Sequence, residues 1–375
     1  MSLSARLVSE LEELEQLSEP WRELAHACAC PAALPGWQLA WWRHLAPDGA
    51  RLRAIAVFEQ ERLVGLAPFF VNPGRRVDYR LLGAGITHRL SPLALPGHER
   101  EVARLAAHTL AGSSPTPDLI AFEGIDVDSL WPRVFVESWP GRFTPWCYVS
   151  STHPAPVLEL GESFEEWFAS RSRKLREQMR RAGRDIESAA GRVSLADATE
   201  VQRALDAFAR LHVARWSSRG GTNFDGNWPE MLSDAARDLA PRGEMRIWLL
   251  EIGESTAAVN IVLAAGGRVS GFNLGFDERW ARYKPGLVVI FAAIRDSFSR
   301  GEARFDFGGG GEQFKMRLGA VDTPICWMGI VPRNRRYLLT RIRLAPSRFV
   351  WRLTRIARRL PQKRKRQLRR LLRLE

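Results

Sequence analysis

Residues 246–264 read RIWLLEIGESTAAVNIVLA, and residues 54–71 read AIAVFEQERLVGLAPFFV. Each is an apolar run, a short polar break and a second apolar run. That pattern predicts two strands joined by a tight turn, at Gly253 to Ser255 in one case and around Gln60 in the other. The elements downstream of the two hairpins also repeat. After the first hairpin come the glycine-bearing stretch YRLLGAGITHRLSPL, a helical pattern starting near His98 and a strand over 118–123. After the second come VSGFNLGF, the loop DERWARYK, a helix from Pro285 to about Arg300 and the strand ARFDF. The shared order, at an offset of roughly 190 residues, predicts duplication of one unit. Antiparallel strands followed by a strand, helix, strand crossover make the expected fold class α/β, with mixed sheets carrying helices on their faces.

Helical patterns over LEELEQLSEPWRELAHA and over 196–219 precede the two sheets. The proline-bearing link STHPAPVLEL, 151–160, sets the expected boundary. The units are then 1–150, 151–332 and a tail over 333–375.

A chain of 375 residues with 45% hydrophobic and 26% charged residues has the length for two cores and the balance of a soluble protein. It holds no apolar run of the roughly 18 residues that span a bilayer. Early acids in MSLSARLVSELEELEQL argue against a secretory signal, so the expected place is the cytoplasm. Cys28, Cys30, Cys147 and Cys326 are too few and too scattered for a disulfide framework, and HACAC at 26–30 has no second ligand cluster; no metal is expected.

Charge is segregated. From Arg333 onward there are 17 Lys and Arg against one acid, which leaves −3 for the rest of a chain whose total is +13. Within the tail, Phe349, Val350, Leu353, Ile356 and Leu360 share one face of a helical pattern with arginines opposite. Residues 347–375 are therefore expected on an anionic membrane surface. Nucleic acid is the second reading, since it uses the charge but not the apolar face.

The stretch FDFGGGGEQFK, 305–315, raises its own question. Four glycines are costly to order, so the backbone there is expected to lie close to a substrate, with Phe314 and Lys315 as its tip. Alternation puts Asp306 opposite Phe305 and Phe307; an acid in a core strand either anchors an arginine or amide or orients an attacking amine. His212, on LDAFARLHVARW, sits among apolar positions as a core imidazole or a proton acceptor. Arg215 and Trp216 are candidates for an acceptor pocket wall.

On RSRKLREQMRRAGRDIE, residues Leu175, Met179, Ala182 and Ile186 form a helical stripe. The remaining circumference is crowded with arginines. Arg173, Arg176 and Arg180 are candidate contacts for an anionic partner such as a nucleotide-sugar or lipid-linked phosphate, with a solvated face as the alternative. No G-x-S-x-G, H-E-x-x-H or P-loop pattern occurs.

In order, RSRKLREQMRRAGRDIE, LHVARWSSRGG, AAVNIVL, GFDERWARYKPG and FDFGGGGEQFK resemble the CelD-type, BioF-like acetyltransferases of the GNAT superfamily, relatives of the FemABX peptidyltransferases. Phe314 stands where the family has tyrosine. The resemblance implies tandem GNAT-like domains and transfer of an acyl group from acetyl-CoA or another acyl-CoA to an amine or hydroxyl. The acceptor would be a surface-polysaccharide or lipid-linked intermediate at the inner membrane face. It also implies a thioester held between splaying strands near Phe272 and Leu274, and a diphosphate at the helix opened by Pro285 and Gly286, with Arg282 and Lys284 beside it. The Q/R-x-x-G-x-G/A loop of many GNAT enzymes is absent.

By the same resemblance Lys315 would contact a phosphate or an oxyanion. Its place on a loop predicts that Lys315→Ala abolishes transfer and spares the fold. Two rivals remain: an aminoacyl-tRNA-dependent FemABX-like peptidyltransferase, and a non-enzymatic membrane- or RNA-binding protein on the same fold.

Overall fold

The computed structural model describes residues 3–72, 74–216 and 226–344. The amphipathic tail expected over 347–375 lies outside the described residues, as does the side chain of Trp216.

Both hairpins form. Arg51–Glu59 pairs with Arg62–Asn72, and Met245–Ile252 with Ser255–Ala265, each across a two-residue turn. Gln60 and Gly253 open those turns in the left-handed region, at φ 56 and φ 58, as a tight right-twisted hairpin requires. Two mixed sheets result. The first runs Leu3–Val8, Arg51–Glu59, Arg62–Asn72, Asp78–Leu81, Leu119–Asp126, Ile325–Val331, Trp146–His153, with Leu93–Ala94 paired to the third strand. The second runs Val321–Asp322, Pro156–Glu159, Arg304–Asp306, Arg268–Phe276, Ser255–Ala265, Met245–Ile252, Gly191–Leu195.

The sheet pairing corrects one part of the sequence reading. Ile325–Val331, counted there with the second unit, is an inner strand of the first sheet. The other boundary, at 150/151, falls inside the strand Trp146–His153. The chain crosses from the first sheet to the second after His153 and crosses back after Asp322. The two crossing segments pair with one another on both sides, Ile325 against His153 and Val321 against Val157. Strands separated by about 170 residues hold each other, so long-range pairing joins the sheets.

Alternation gives the second sheet two apolar faces. Ile247, Leu249, Val259, Ile261 and Leu263 join one core with first-unit residues such as Trp37, together with Phe208, Trp228 and Met231 of the second unit. Leu250, Ile252, Ala258, Val262 and Ala264 face the helices Arg173–Ser188 and Pro285–Ser299. The stripe expected on the first of those helices is the one that is buried: Leu175, Met179, Ala182 and Ile186. Ser172 caps it by accepting from the Leu175 amide at 3.3 Å. At about 1.5–3 kcal/mol for each large side chain buried, a core shared by both sheets makes them one body.

Candidate functional site

The strands Arg268–Phe276 and Arg304–Asp306 run parallel and pair at only three positions, Arg268 to Ser270 against Arg304 to Asp306. Beyond them the first strand continues while the second turns into the glycine loop. No strand lies on that side of Phe272–Phe276 among the described residues. A fork opens there, and the helix Pro285–Ser299 begins beside its open end.

A bulge decides which side chains face the fork. Ile261 pairs with Asn273 and Val262 with Gly271, so Phe272 is the extra residue. It turns away and packs its ring edge-on to Trp37 at 4.7 Å and against Trp228 at 6.2 Å. The expected cofactor contact Phe272 is thus part of the core between the units. Leu274 and Phe276 face the helix instead. A Cβ on Gly286 would lie 3.0 Å from Leu274 and 3.2 Å from Phe276, so glycine here permits close strand–helix packing, and Gly286 is buried. Lys284 caps the helix in the left-handed region at φ 55. Arg282 folds over Tyr283, 4.5 Å from its ring.

The glycine loop is explained by the groups that approach it. Asp306 accepts from the Gly308 amide at 2.8 Å, the Gly309 amide donates to His88 Nδ1 at 3.3 Å, and the Gly310 amide donates to the Pro154 carbonyl at 2.8 Å. The loop's carbonyls turn the other way. Lys315 Nζ donates to Gly308, Gly309 and Gly310 at 3.4, 3.1 and 3.0 Å and pairs with Glu312 at 2.8 Å. An ammonium has three protons, and these four acceptors occupy them. A Cβ on Gly309 would lie 2.9 Å from His88 Nε2, inside contact distance.

Lys315 therefore contradicts two expectations. It lies on the short helix Gln313–Arg317, buried at 4% exposure, and its charge gathers the loop's carbonyls instead of facing a ligand. Burial opposes ionisation of Glu312, but the bond to Lys315 prevails and holds that carboxyl below its ordinary range. Phe314 sits nearby, edge-on to Phe307 at 6.4 Å.

Asp306, 2% exposed, has the arginine partner that an anchoring role calls for. Its partner is Arg89, a residue the sequence reading did not single out. The buried Arg89 guanidinium also pairs with Asp126, and donates to the Ala155 carbonyl at 2.8 Å, the Thr323 carbonyl at 2.9 Å and Thr323 Oγ1 at 2.6 Å. Ala155 and Thr323 are the crossing points between the sheets. One arginine thus ties the first unit, both crossings and the fork together. Burial raises the Asp126 carboxyl, against the pull of Arg89.

His88, beside it, is the other residue missed. Its ring is 6.2 Å from Trp327, which in turn lies 5.0 Å from His153. Desolvation at the loop lowers its basicity; Asp306 opposes this, and Lys315, Arg89 and His153 reinforce it.

The remaining candidates lie elsewhere. His212 is buried beside Phe208, 5.5 Å between rings, and desolvation followed by Arg215 lowers its basicity. Its helix Val201–Trp216 packs at Gly275, further along the strand than the glycine loop, so His212 is not brought to Lys315. Arg215 covers the Phe276 ring at 4.3 Å and lines a cavity of about 410 Å³ with Arg279.

Arg173 pairs with Glu177 at 2.7 Å, Arg176 donates to the Ala169 carbonyl, and Arg180 lies over Phe168 in an apolar groove of about 840 Å³. The basic groove of about 1170 Å³ is made by other residues of that helix, Lys174, Arg181 and Arg184, facing Arg282 and Lys284. No group of three or more His, Cys, Asp or Glu placed to hold a metal occurs among the described residues.

No curated protein matches the sequence. Among solved structures, FemX superposes with a TM-score of 0.64 at 11% identity, over 90% of this chain and 99% of that one. A protein of unknown function from Bacteroides thetaiotaomicron gives 0.56 at 11% identity over 87% and 100%, and L-PGS from Bacillus licheniformis 0.51 at 12% over 89% and 95%. At these identities the likeness is one of fold. The family model for the acetyltransferase (GNAT) domain matches residues 173–316, a span that holds the basic helix, the fork and the glycine loop. The chain therefore carries a GNAT acetyltransferase domain over residues 173–316, within a mixed α/β fold of two joined sheets.

Proposed function

We propose that the protein transfers an acyl group from acyl-CoA to an amine or hydroxyl, the acceptor being a surface-polysaccharide or lipid-linked intermediate. The observation that carries this is the fork. A strand edge with no neighbour over Phe272–Phe276 can hydrogen-bond the amides of the donor's pantetheine arm, as an added strand would. The helix starting at Pro285 presents its dipole to the diphosphate, with Arg282, Lys284, Lys174 and Arg184 supplying positive charge. The acceptor attacks the thioester carbon directly, and no protein nucleophile takes part. We keep the CelD-type, BioF-like branch as the assignment within the superfamily.

An aminoacyl donor is the second reading, favoured by the size of the basic groove, about 1170 Å³, where Lys174, Arg181, Arg184, Arg282 and Lys284 outnumber Glu177 and Asp185. Incubating the full-length protein with acetyl-CoA, longer acyl-CoA and aminoacyl-tRNA against a panel of amino sugars and lipid-linked sugars separates them. Coenzyme A release that depends on acceptor supports the first, aminoacyl transfer the second, and neither reaction leaves a non-catalytic protein.

Gly286 gives a sharper check. Gly286→Ala places a Cβ 3.0 Å from Leu274 and pushes the helix start off the fork. The expected result is coenzyme A affinity reduced about tenfold, roughly 1.4 kcal/mol, with little change in unfolding. Equal affinity by calorimetry places the donor elsewhere.

No helix among the described residues is long and apolar enough to cross a membrane. We assign residues 347–375 to an anionic membrane surface on the cytoplasmic side, on sequence alone. Truncation after Leu344, which keeps Asn334, Tyr337 and Leu344 packed on the first sheet, should then abolish sedimentation with phosphatidylglycerol vesicles. Salt-labile binding to RNA without binding to vesicles would support the nucleic-acid reading instead.

A further inference from the structure

Three facts converge on His88. Its Nδ1 accepts from the Gly309 amide at 3.3 Å, so the neutral ring carries its proton on Nε2. His88 as a whole residue is exposed, though the groups packed around its ring desolvate it, and Nε2 has no hydrogen-bond partner among the described residues. It stands where the fork begins: a Cβ on Gly308 would lie 3.2 Å from the Gly271 carbonyl and 3.7 Å from His88 Nδ1. Gly271 and Ser270 are where the two strands part.

The polar groups of the glycine loop itself are already committed. Lys315 is spent on the loop carbonyls, Asp306 on Arg89 and Gly308, and the amides of Gly308, Gly309 and Gly310 on Asp306, His88 and Pro154. His88 Nε2 is a fixed donor with its proton still to give. The glycine loop positions it, and the absence of a side chain at Gly309 makes room for the ring.

We propose that His88 is a catalytic residue of the transfer, donating from Nε2–H to the thioester carbonyl oxygen as it becomes an oxyanion. This rests on the acyl-transfer reading above. The acceptor nitrogen or oxygen forms its bond to the carbonyl carbon, and the carbonyl π electrons move to oxygen, where the hydrogen bond accepted from Nε2–H strengthens. The oxygen then re-forms its double bond and the carbon–sulfur bond breaks. The thiolate leaves, and the proton lost by the acceptor passes to it or to water. His88 remains neutral throughout, in keeping with its lowered basicity. This assigns to a side chain of the first unit a task in a reaction whose donor lies on the second, and gives the close pairing of the sheets a chemical reason.

The test compares wild type with His88→Ala, His88→Gln and Gly309→Ala under saturating acyl-CoA and acceptor, alongside coenzyme A affinity and unfolding. Loss of one oxyanion donor lowers kcat by about 10² to 10³. His88→Ala should show that drop with coenzyme A affinity unchanged. His88→Gln, whose amide can reach the Nε2 position, should recover part of it. Gly309→Ala, which displaces the ring, should resemble His88→Ala. Histidine nitrogen spectra of the wild type should show the Nε2–H tautomer at neutral pH. An active wild type with unchanged kcat in His88→Ala, or an Nδ1–H tautomer, overturns the role of His88 alone. A wild type that neither binds nor consumes acyl-CoA overturns the acyl-transfer reading and this inference with it.

Discussion

Arg89→Ala should lower the stability of the whole protein by about 3–5 kcal/mol, the usual cost of leaving one member of a buried ion pair uncompensated. Asp306 is 2% exposed and would keep only the Gly308 amide, while the Ala155 and Thr323 carbonyls would lose their shared donor. Because those carbonyls lie where the chain crosses between sheets, the loss should appear as one cooperative transition at lower urea and not as separate melting of a unit. Adding Asp306→Asn to Arg89→Met should recover part of it, since the amide keeps the Gly308 contact without a buried charge. A change below about 1 kcal/mol in Arg89→Ala would show that solvent already reaches this cluster.

Lys315→Ala should impair both turnover and stability. Without the ammonium, three carbonyls lose their shared donor, at about 1–3 kcal/mol for the buried Gly308 carbonyl and less for the half-buried Gly309 and Gly310, while exposed Glu312 turns to water. The loop would relax, moving Gly309 and the His88 ring that rests on it. Turnover should therefore fall at least tenfold, with an unfolding midpoint clearly below wild type. Paired turnover and denaturation measurements decide. Lost turnover with untouched stability would restore Lys315 as a direct ligand contact; unchanged turnover would show that the loop's position is irrelevant to the reaction.

The tandem layout was readable because its signals are local: apolar alternation, two-residue turns and one amphipathic stripe of period 3.6. The return of Ile325–Val331 to the first sheet was not, because its partners lie about 170 to 210 residues away and nothing in ICWMGIV records which strands it joins. Arg89 and His88 were hidden for a similar reason. They sit in THRL, a loop with no motif, and their partners Asp306 and Gly309 are 217 and 221 positions distant. The need of Asp306 for a partner was legible; the partner was not. Phe272 misled because a one-residue bulge reverses alternation, and alternation was the only guide to its direction.

Hydrogen exchange on the full-length protein, with and without saturating acetyl-CoA, tests the central claim that the donor fills the fork. New protection should appear in peptides covering 271–276, the strand edge without a neighbour, and 284–288, the first turn of the helix beside it. The crossing segments around Ala155 and Thr323, already bonded, should stay as they are. Protection confined to other peptides, or none at a concentration that saturates binding, would contradict the account.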